Sequence, residues 1–297
     1  MADFAIHPLH TLDEFRAAEE LQRVAWGSSD LDITPMHMLI TIAKNGGVVL
    51  GAFSGAELIG VVFGFIGTGE HRFGPEAPAA VKLKHCSHQM GVRPEWQSKG
   101  VGYALKLAQR EAVLNQGLRL ITWTYDPLES RNARLNLSKL GAVCTTYLRD
   151  VYGELRDELN QGLASDRFQV DWWIASRRVE TRLTRKRPPL QLRHYLDAGT
   201  VVLNPAKWDE NGLPVCADAI GPLAADHAIV EFPADFQSIK RIDHGLARAW
   251  RMQLRSICED AFARGYGVVD CLCEPGPPTR SFYVLLRIES NESTLAV

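Results

Sequence analysis

The chain has 297 residues, 46% hydrophobic and 23% charged, with a formal net charge of −2. That length allows two domains, or one large one, with a core of its own. The charge balance argues against a nucleic-acid partner, which favours a basic excess, and the longest apolar run, Leu58 to Ile66, is far too short to cross a bilayer.

The chain opens with a short strand, Ala5-Ile6, and then Thr11-Leu12-Asp13-Glu14, a capping box that starts a helix. Leu12, Phe15, Ala18, Leu21 and Val24 recur at helical spacing. Thr34-Pro35 marks a second helix start, and Gly46-Gly47 its end. Val48 to Phe53 and Leu58 to Ile66, joined by Ser54-Gly55-Ala56-Glu57, read as a hairpin. After a turn-rich stretch, residues 67–80, come a strand from Lys84 to Val92 and a helix from about Gly100 to Asn115. In that helix Val101, Leu105, Ala108 and Ala112 share one face, while Lys106, Arg110 and Glu111 fall elsewhere. Gly117 ends it, and Leu118 to Tyr125 is the next strand. A short helix from Asn132 to Leu140, closed by Gly141, and strands Val143 to Leu148 and Phe168 to Ala175 complete an α/β half around a mixed sheet.

Thr181 to Pro189, with four basic residues before Pro188-Pro189, reads as a solvated linker. Beyond it, Ala228 to Pro233 is a strand, Leu246 to Arg264 an amphipathic helix ended by Gly265, and Val268 to Cys273 and Phe282 to Arg287 two more strands. This order repeats that of Gln89 to Trp123, so the second half reads as a degenerate duplication whose loop, Gln237-Ser238-Ile239-Lys240, lacks paired glycines and should not bind a pyrophosphate. The expected domains are 1–180 and 190–297. The six cysteines contain no CxxC pair, and Cys271-Leu272-Cys273 cannot supply a four-ligand site, so reduced thiols and no metal are expected. No basic-then-apolar leader follows Met1, and the expected compartment is the cytoplasm.

Chemistry concentrates in Gly91-Val92-Arg93-Pro94-Glu95-Trp96-Gln97-Ser98-Lys99-Gly100-Val101-Gly102. A strand delivers the chain to a loop that turns directly into a helix. Gly100 and Gly102 let the backbone approach a ligand without an intervening Cβ. Successive N–H groups and the positive end of the helix dipole make an anion site, to which Lys99 adds charge. The third glycine of a dinucleotide loop is missing, as is the G-K-[ST] of a P-loop.

The pattern V-x-P-x-x-Q-x-x-G-x-G between strand and helix resembles the cofactor motif of the GNAT superfamily of acyl-CoA N-acyltransferases, over residues 1 to about 178 in element order and most closely over 84–142. The resemblance implies a GNAT-like mixed, twisted sheet flanked by helices. It also implies acetyl-CoA or another acyl-CoA, succinyl-CoA included, as co-substrate. Met90, Gly91 and Val92 would offer main-chain groups to the pantetheine arm, Gln97, Ser98, Lys99, Gly100, Val101 and Gly102 would hold the pyrophosphate, and Asn132 would lie in a second cofactor segment. The family often places a tyrosine acid where this sequence has Leu137, which leaves Tyr147 and Tyr152 as alternatives. His88-Gln89-Met90-Gly91-Val92, Trp123 to Leu128, Tyr152-Gly153 and Asp166-Arg167-Phe168 are similar to a subgroup associated with N-acylation of amino acids.

Amine acylation needs a base, because an ammonium must lose a proton before it attacks. His88, on the strand beside the cofactor gap, suits that task; a hydrogen-bonded sheet histidine is the other reading. His85 points to the opposite face by strand alternation and reads as structural. Arg167 could pair with a substrate carboxylate or with Asp166, and Trp123 could wall the pocket. The expected function is acyl transfer to a small-molecule amine, with a homodimer possible; a catalytically silent acyl-CoA sensor is the alternative.

Overall fold

The computed structural model describes residues 3–26, 33–69, 83–153, 162–184 and 189–288. The chain divides into two compact units, Met1–Trp123 and Thr124–Val297. Most of residues 67–80, read as a turn-rich connection, and residues 185–188 of the expected linker lie outside the described residues.

In the first unit the capping box closes as its residue types require. The Glu14 carboxylate accepts from the N–H groups of Thr11 (2.9 Å) and His10 (2.7 Å), and the Thr11 hydroxyl accepts from the Glu14 N–H at 3.2 Å. Helix α1 (Leu12–Trp26) follows β1 (Ala5–Pro8). Helix α2 (Met36–Lys44) starts one residue after Pro35, which occupies the N-cap itself. Strands β2 (Val48–Ser54) and β3 (Glu57–Thr68) form the expected hairpin, and its turn uses Gly55 at φ 58°. Strand β4 (Leu83–Val92) pairs antiparallel with β3; helix α3 (Val101–Asn115) then leads to β5 (Leu120–Tyr125), within which the unit boundary falls. The strand order is β1-β2-β3-β4-β5.

Alternation along β3 divides the two faces of this sheet. Val61 and Phe63 pack with Phe15, Ala18 and Leu21 of α1 and Leu39 of α2. On the other face, a Cβ at Gly60 would lie 3.0 and 3.1 Å from Val101 and Leu105 of α3. Each fully buried side chain of this kind contributes about 1.5–3 kcal/mol, so each face of the central strands is held by its own helices.

The second unit begins with α4 (Ser130–Ala133), which continues through a wider π-helical turn, Arg134–Lys139, to Gly141 at φ 76°. Strands β6 (Val143–Leu148) and β7 (Arg167–Trp173) pair antiparallel. Helix α5 (Arg177–Thr184) covers the start of the stretch read as a linker, and Val179 is buried there. Its Arg178 donates to the Gly141 carbonyl at 3.0 Å, and Arg182 pairs with Asp270. A basic run is solvated by default, but Arg182, its first residue, finds a buried acceptor in Asp270. Short elements unread in the sequence come next: α6 (Leu192–Asp197), β8 (Lys207–Trp208) and β9 (Pro214–Val215).

Strand β10 (His227–Phe232) precedes α7 (Phe236–Ile242), α8 (His244–Ala263), β11 (Tyr266–Glu274) and β12 (Arg280–Arg287). The loop expected at Gln237 to Lys240 is therefore helical, capped by Asp235, whose carboxylate accepts from the Ser238 N–H at 3.0 Å. The order β7-β6-β11-β12-β10 places β12 between β10 and β11. The strand–helix–strand unit thus shares its sequence rhythm with β4-α3-β5, but a third strand fills the space between its two strands. Among the described residues, no helix is long and apolar enough to cross a membrane. Cys144, Cys258 and Cys271 are buried, Cys273 is exposed, and all six thiols are free.

Candidate active site

Strands β4 and β5 run parallel but pair only at His85–Ile121 and Cys86–Thr122. Past that point they share no ladder, so among the described residues no strand lies on the edge of Ser87–Val92 that would face β5. Backbone groups left unpaired inside a fold demand a partner, and an extended ligand arm between the strands can be one. A register shift lies at the same place: Gly64 pairs with Ser87 and Phe63 with Gln89, which leaves His88 as the extra residue of a bulge. Bulges re-aim side chains. Here His88 and the segment after it are re-phased, so a Cβ at Gly91 would lie 3.1–3.2 Å from Leu21, Ala25 and Trp26 of α1. The glycine at 91 is thus explained by helix packing as well as by any main-chain role.

The loop after β4 is built as a mouth. Pro94–Trp96 make one 3-10 turn, and the Gln97 side chain reaches back to the Val92 carbonyl at 3.3 Å. Ser98 takes a left-handed φ of 61°, a conformation that costs a non-glycine residue about 1–2 kcal/mol. Gly100 takes φ 91° with open space around it and is the N-cap of α3, so the N-cap position itself offers no side chain to the first-turn amides. Val101 is buried under the turn. A Cβ at Gly102 would meet Met90 Cε at 3.4 Å and Val92 Cγ2 at 3.9 Å, ordinary contacts, so packing alone does not require glycine there. What glycine leaves is free approach to the amides. The exposed Lys99 ammonium stands 5.1 Å from the Trp96 ring centroid, in reach of the mouth.

His88 sits on the α1/α2 face, 5.7 and 6.0 Å from the ring centroids of Phe63 and Phe65. It is solvent-accessible and hydrogen-bonds no described residue, while desolvation beside those rings lowers its pKa below the usual 6.5. It is therefore a neutral imidazole at neutral pH, with a nitrogen able to take a proton.

On the α3 face lies a cluster that the sequence reading missed. Lys106 is only 3% exposed, and its ammonium donates to Ser87 Oγ at 2.8 Å and Gln109 Oε1 at 3.1 Å. The same ammonium lies 3.8 Å from the Trp123 ring centroid. Gln109 turns its amide nitrogen to His85 Nε2 at 3.2 Å, so that nitrogen accepts and the ring proton sits on Nδ1, which is buried with no partner among the described residues. Burial, and then the charge of Lys106, lower the His85 pKa to about 4. Burial lowers that of Lys106 to about 7. The helix is rotated from the sequence expectation: Lys106, Gln109 and Val113 are buried, whereas Ala108 and Ala112 are only partly so. Lysine is ordinarily solvated, which is why helical periodicity placed Lys106 outside. The only available signal was its spacing, one turn beyond Gly102 and three residues before a glutamine.

The other expected site residues belong to the second unit. Asn132 is exposed on α4, and Leu137 is fully buried. Tyr147 donates its hydroxyl to Asp166 at 2.7 Å; burial and then the Asp166 charge push its pKa far up. Asp166 also accepts from Arg255 at 2.7 and 2.8 Å and from the Asp150 N–H at 3.1 Å. Burial raises its pKa, but these bonds outweigh that and hold it below the usual carboxylate value. Tyr152 is exposed, 3.3 Å from Thr124 Oγ1, with the Arg167 guanidinium 5.1 Å from its ring centroid. Arg167 also donates to the Asp166 carbonyl at 3.0 Å and lies 3.8 Å from Asp126. The structure thus groups His88, Met90–Val92, the 97–102 loop and Trp123 in one unit, and Tyr147, Tyr152 and Arg167 around acidic residues in the other.

Among solved structures, the chain is similar to acetyltransferases. One is an acetyltransferase of the GNAT family from Streptococcus pneumoniae, at 16% identity over 57% of this chain and 98% of that one, with a TM-score of 0.44. Another is the ribosomal-protein-S18-alanine N-acetyltransferase from Escherichia coli, at 14% identity over 59% and 96%, TM-score 0.44. A third is NAA60 from Arabidopsis thaliana in complex with acetyl-CoA, at 15% identity over 59% and 100%, TM-score 0.47. No protein-family model and no curated protein sequence matches the chain.

Proposed function

We propose that the chain is an acyl-CoA-dependent N-acyltransferase that acylates the amine of a small molecule such as an amino acid. The observation that carries this reading is the fork between β4 and β5, which opens beside the N-terminus of α3, where a glycine N-cap leaves the first-turn amides open to approach. The fork suits an extended amide-bearing arm, and the mouth a diphosphate. Both lie along the one motif that the sequence singles out. The residues present fit such a ligand: Gly100 and Gly102 keep Cβ atoms out of the mouth, Lys99 adds charge, and Met90–Val92 edge the fork.

In this reading His88 takes the proton of the attacking amine, and main-chain groups near Met90 and Gly91 stabilise charge developing on the thioester oxygen. The acyl group passes directly from thioester to amine, with no covalent enzyme intermediate. Arg167 holds a substrate carboxylate, and Asn132 belongs to the cofactor segment. Acetyl and succinyl donors, a homodimer and a cytoplasmic location all remain part of the proposal.

The test is thiol release with acetyl-CoA or succinyl-CoA and a panel of amines, alongside calorimetric titration of acetyl-CoA. Gly102→Glu places bulk and negative charge at the mouth and should weaken acetyl-CoA binding by more than tenfold. It should leave the melting temperature within about 2 °C, since the Cβ itself meets only ordinary contacts. Binding without turnover on any amine would favour a sensor, and absence of acyl-CoA binding to the wild type would end the proposal.

A further inference from the structure

We propose that Lys106 supplies, through the Ser87 hydroxyl, the proton that the leaving thiolate takes up when the thioester is broken. This rests on the acyl-transfer reading and assigns the half of the proton traffic that His88 does not handle. Leu137, at the position where the resemblance expects a tyrosine acid, is buried hydrocarbon and carries no proton to give.

Position is the first argument. Cys86 and Thr122 are the last paired residues of β4 and β5. Ser87 and Trp123 are the next residue on each strand, so they stand at the apex of the fork. The Lys106 ammonium touches both, at 2.8 Å from Ser87 Oγ and 3.8 Å from the Trp123 ring centroid. An arm laid between the strands ends against this apex. His88 faces the α1/α2 side and Lys106 the α3 side, so a base and an acid flank the fork without neutralising each other.

The second argument is the cost of keeping a lysine there. All its contacts are neutral: Ser87 from β4, Gln109 from α3 and the Trp123 face from β5. The titratable group facing it is His85 of β4, held neutral through Gln109. Among the described residues no carboxylate lies within ion-pairing distance of Lys106. A buried ammonium without a counter-ion destabilises a fold, and a leucine or methionine would fill the same space without that cost. The consequence of burial is chemical. With a pKa brought down to about 7, the group is half charged at neutrality. It is also more acidic than an ordinary thiol, whose pKa is about 8.5, so the transfer runs downhill.

The step balances. The carbon–sulfur bond breaks with its electron pair going to sulfur. Ser87 turns its O–H from Gln109 toward that sulfur and gives up the proton, while a Lys106 N–H passes its proton to Oγ. The S–H bond forms, Lys106 is left as the free amine, and solvent restores its proton after the thiol departs. The amine's own proton leaves by way of His88.

The experiment measures kcat against pH for the full-length wild type, Lys106→Met and Lys106→Arg with acetyl-CoA, and titrates acetyl-CoA into each by calorimetry. Wild-type kcat should fall as pH rises through about 7, because the ammonium is the required form. Lys106→Met should bind acetyl-CoA within threefold of wild type, lose about 100-fold in kcat, and lack that falling limb. Lys106→Arg keeps the charge but cannot release a proton at these pH values, so it should not restore kcat; Ser87→Ala should lose rate as Lys106→Met does. A falling limb that persists in Lys106→Met, or recovery of rate by arginine, would overturn the assignment. Unchanged binding with unchanged kcat would sink this inference alone, whereas a wild type that binds no acetyl-CoA would take the acyl-transfer reading with it.

Discussion

Lys106→Met removes a buried ammonium and keeps the length of the side chain, so its effect on stability can be worked from the structure. Burial lowers the Lys106 pKa from 10.5 to about 7, a difference of 3.5 units. At about 1.36 kcal/mol per unit, holding the charged form in the fold costs on the order of 5 kcal/mol at low pH. Methionine also removes the donors to Ser87 Oγ and Gln109 Oε1, at about 1–2 kcal/mol each. The variant should therefore gain about 1–3 kcal/mol near pH 6. The pH dependence has a definite sign. The unfolded chain keeps the lysine proton up to about 10.5 and the folded chain only to about 7, so between these values the unfolded state binds more protons. Wild-type stability then rises with pH by about 1.4 kcal/mol per unit from this group. The advantage of the variant should shrink across that window and reverse before pH 10. Urea unfolding of both proteins from pH 6 to pH 10, with the slopes compared for constancy, reads the difference directly. A variant less stable at pH 6, or a difference flat with pH, would refute a desolvated ammonium at this site.

His88→Ala should lower kcat by about 100-fold. Because desolvation places the pKa of His88 below 6.5, wild-type activity should rise with pH over a limb centred below that value, and the limb should vanish in the variant; a pH–rate profile shows either result. Asp166→Ala leaves Arg255 without the carboxylate that accepts from it twice and removes the acceptor of the Tyr147 hydroxyl. It should destabilise the second unit by about 3–5 kcal/mol, read as a fall in the denaturation midpoint, and a loss under 1 kcal/mol would mean that the pair is solvent-screened.

Much of the first unit was legible because its signals are local. Thr11 and Glu14 are three residues apart, so their reciprocal bonds follow from helix geometry alone. Gly55, Gly100 and Gly117 all take positive φ where the chain turns or a helix starts or ends. The strand–loop–helix from Leu83 to Asn115 was likewise readable, since it depends on glycine positions within one short segment. The boundaries of the second unit were harder: the helix at Arg177–Thr184 was read as linker, and the helix at Phe236–Ile242 as loop. In both cases partners distant in sequence, or a cap that propensity undervalues, override the local bias.

The sequence by itself determined that a strand carrying His88 runs into a turn with Gly100 and then a helix, because backbone conformation within a dozen residues sets that order. Only tertiary structure decided that β4 and β5 part after a single pair of rungs, that His88 is the extra residue of a bulge, and that α3 turns Lys106 and Gln109 inward. Those outcomes depend on how the strands pair and on which face of a helix meets them. Periodicity can rank helix faces by polarity, but it cannot foresee that Ser87, Gln109 and Trp123 would together give a buried lysine its acceptors.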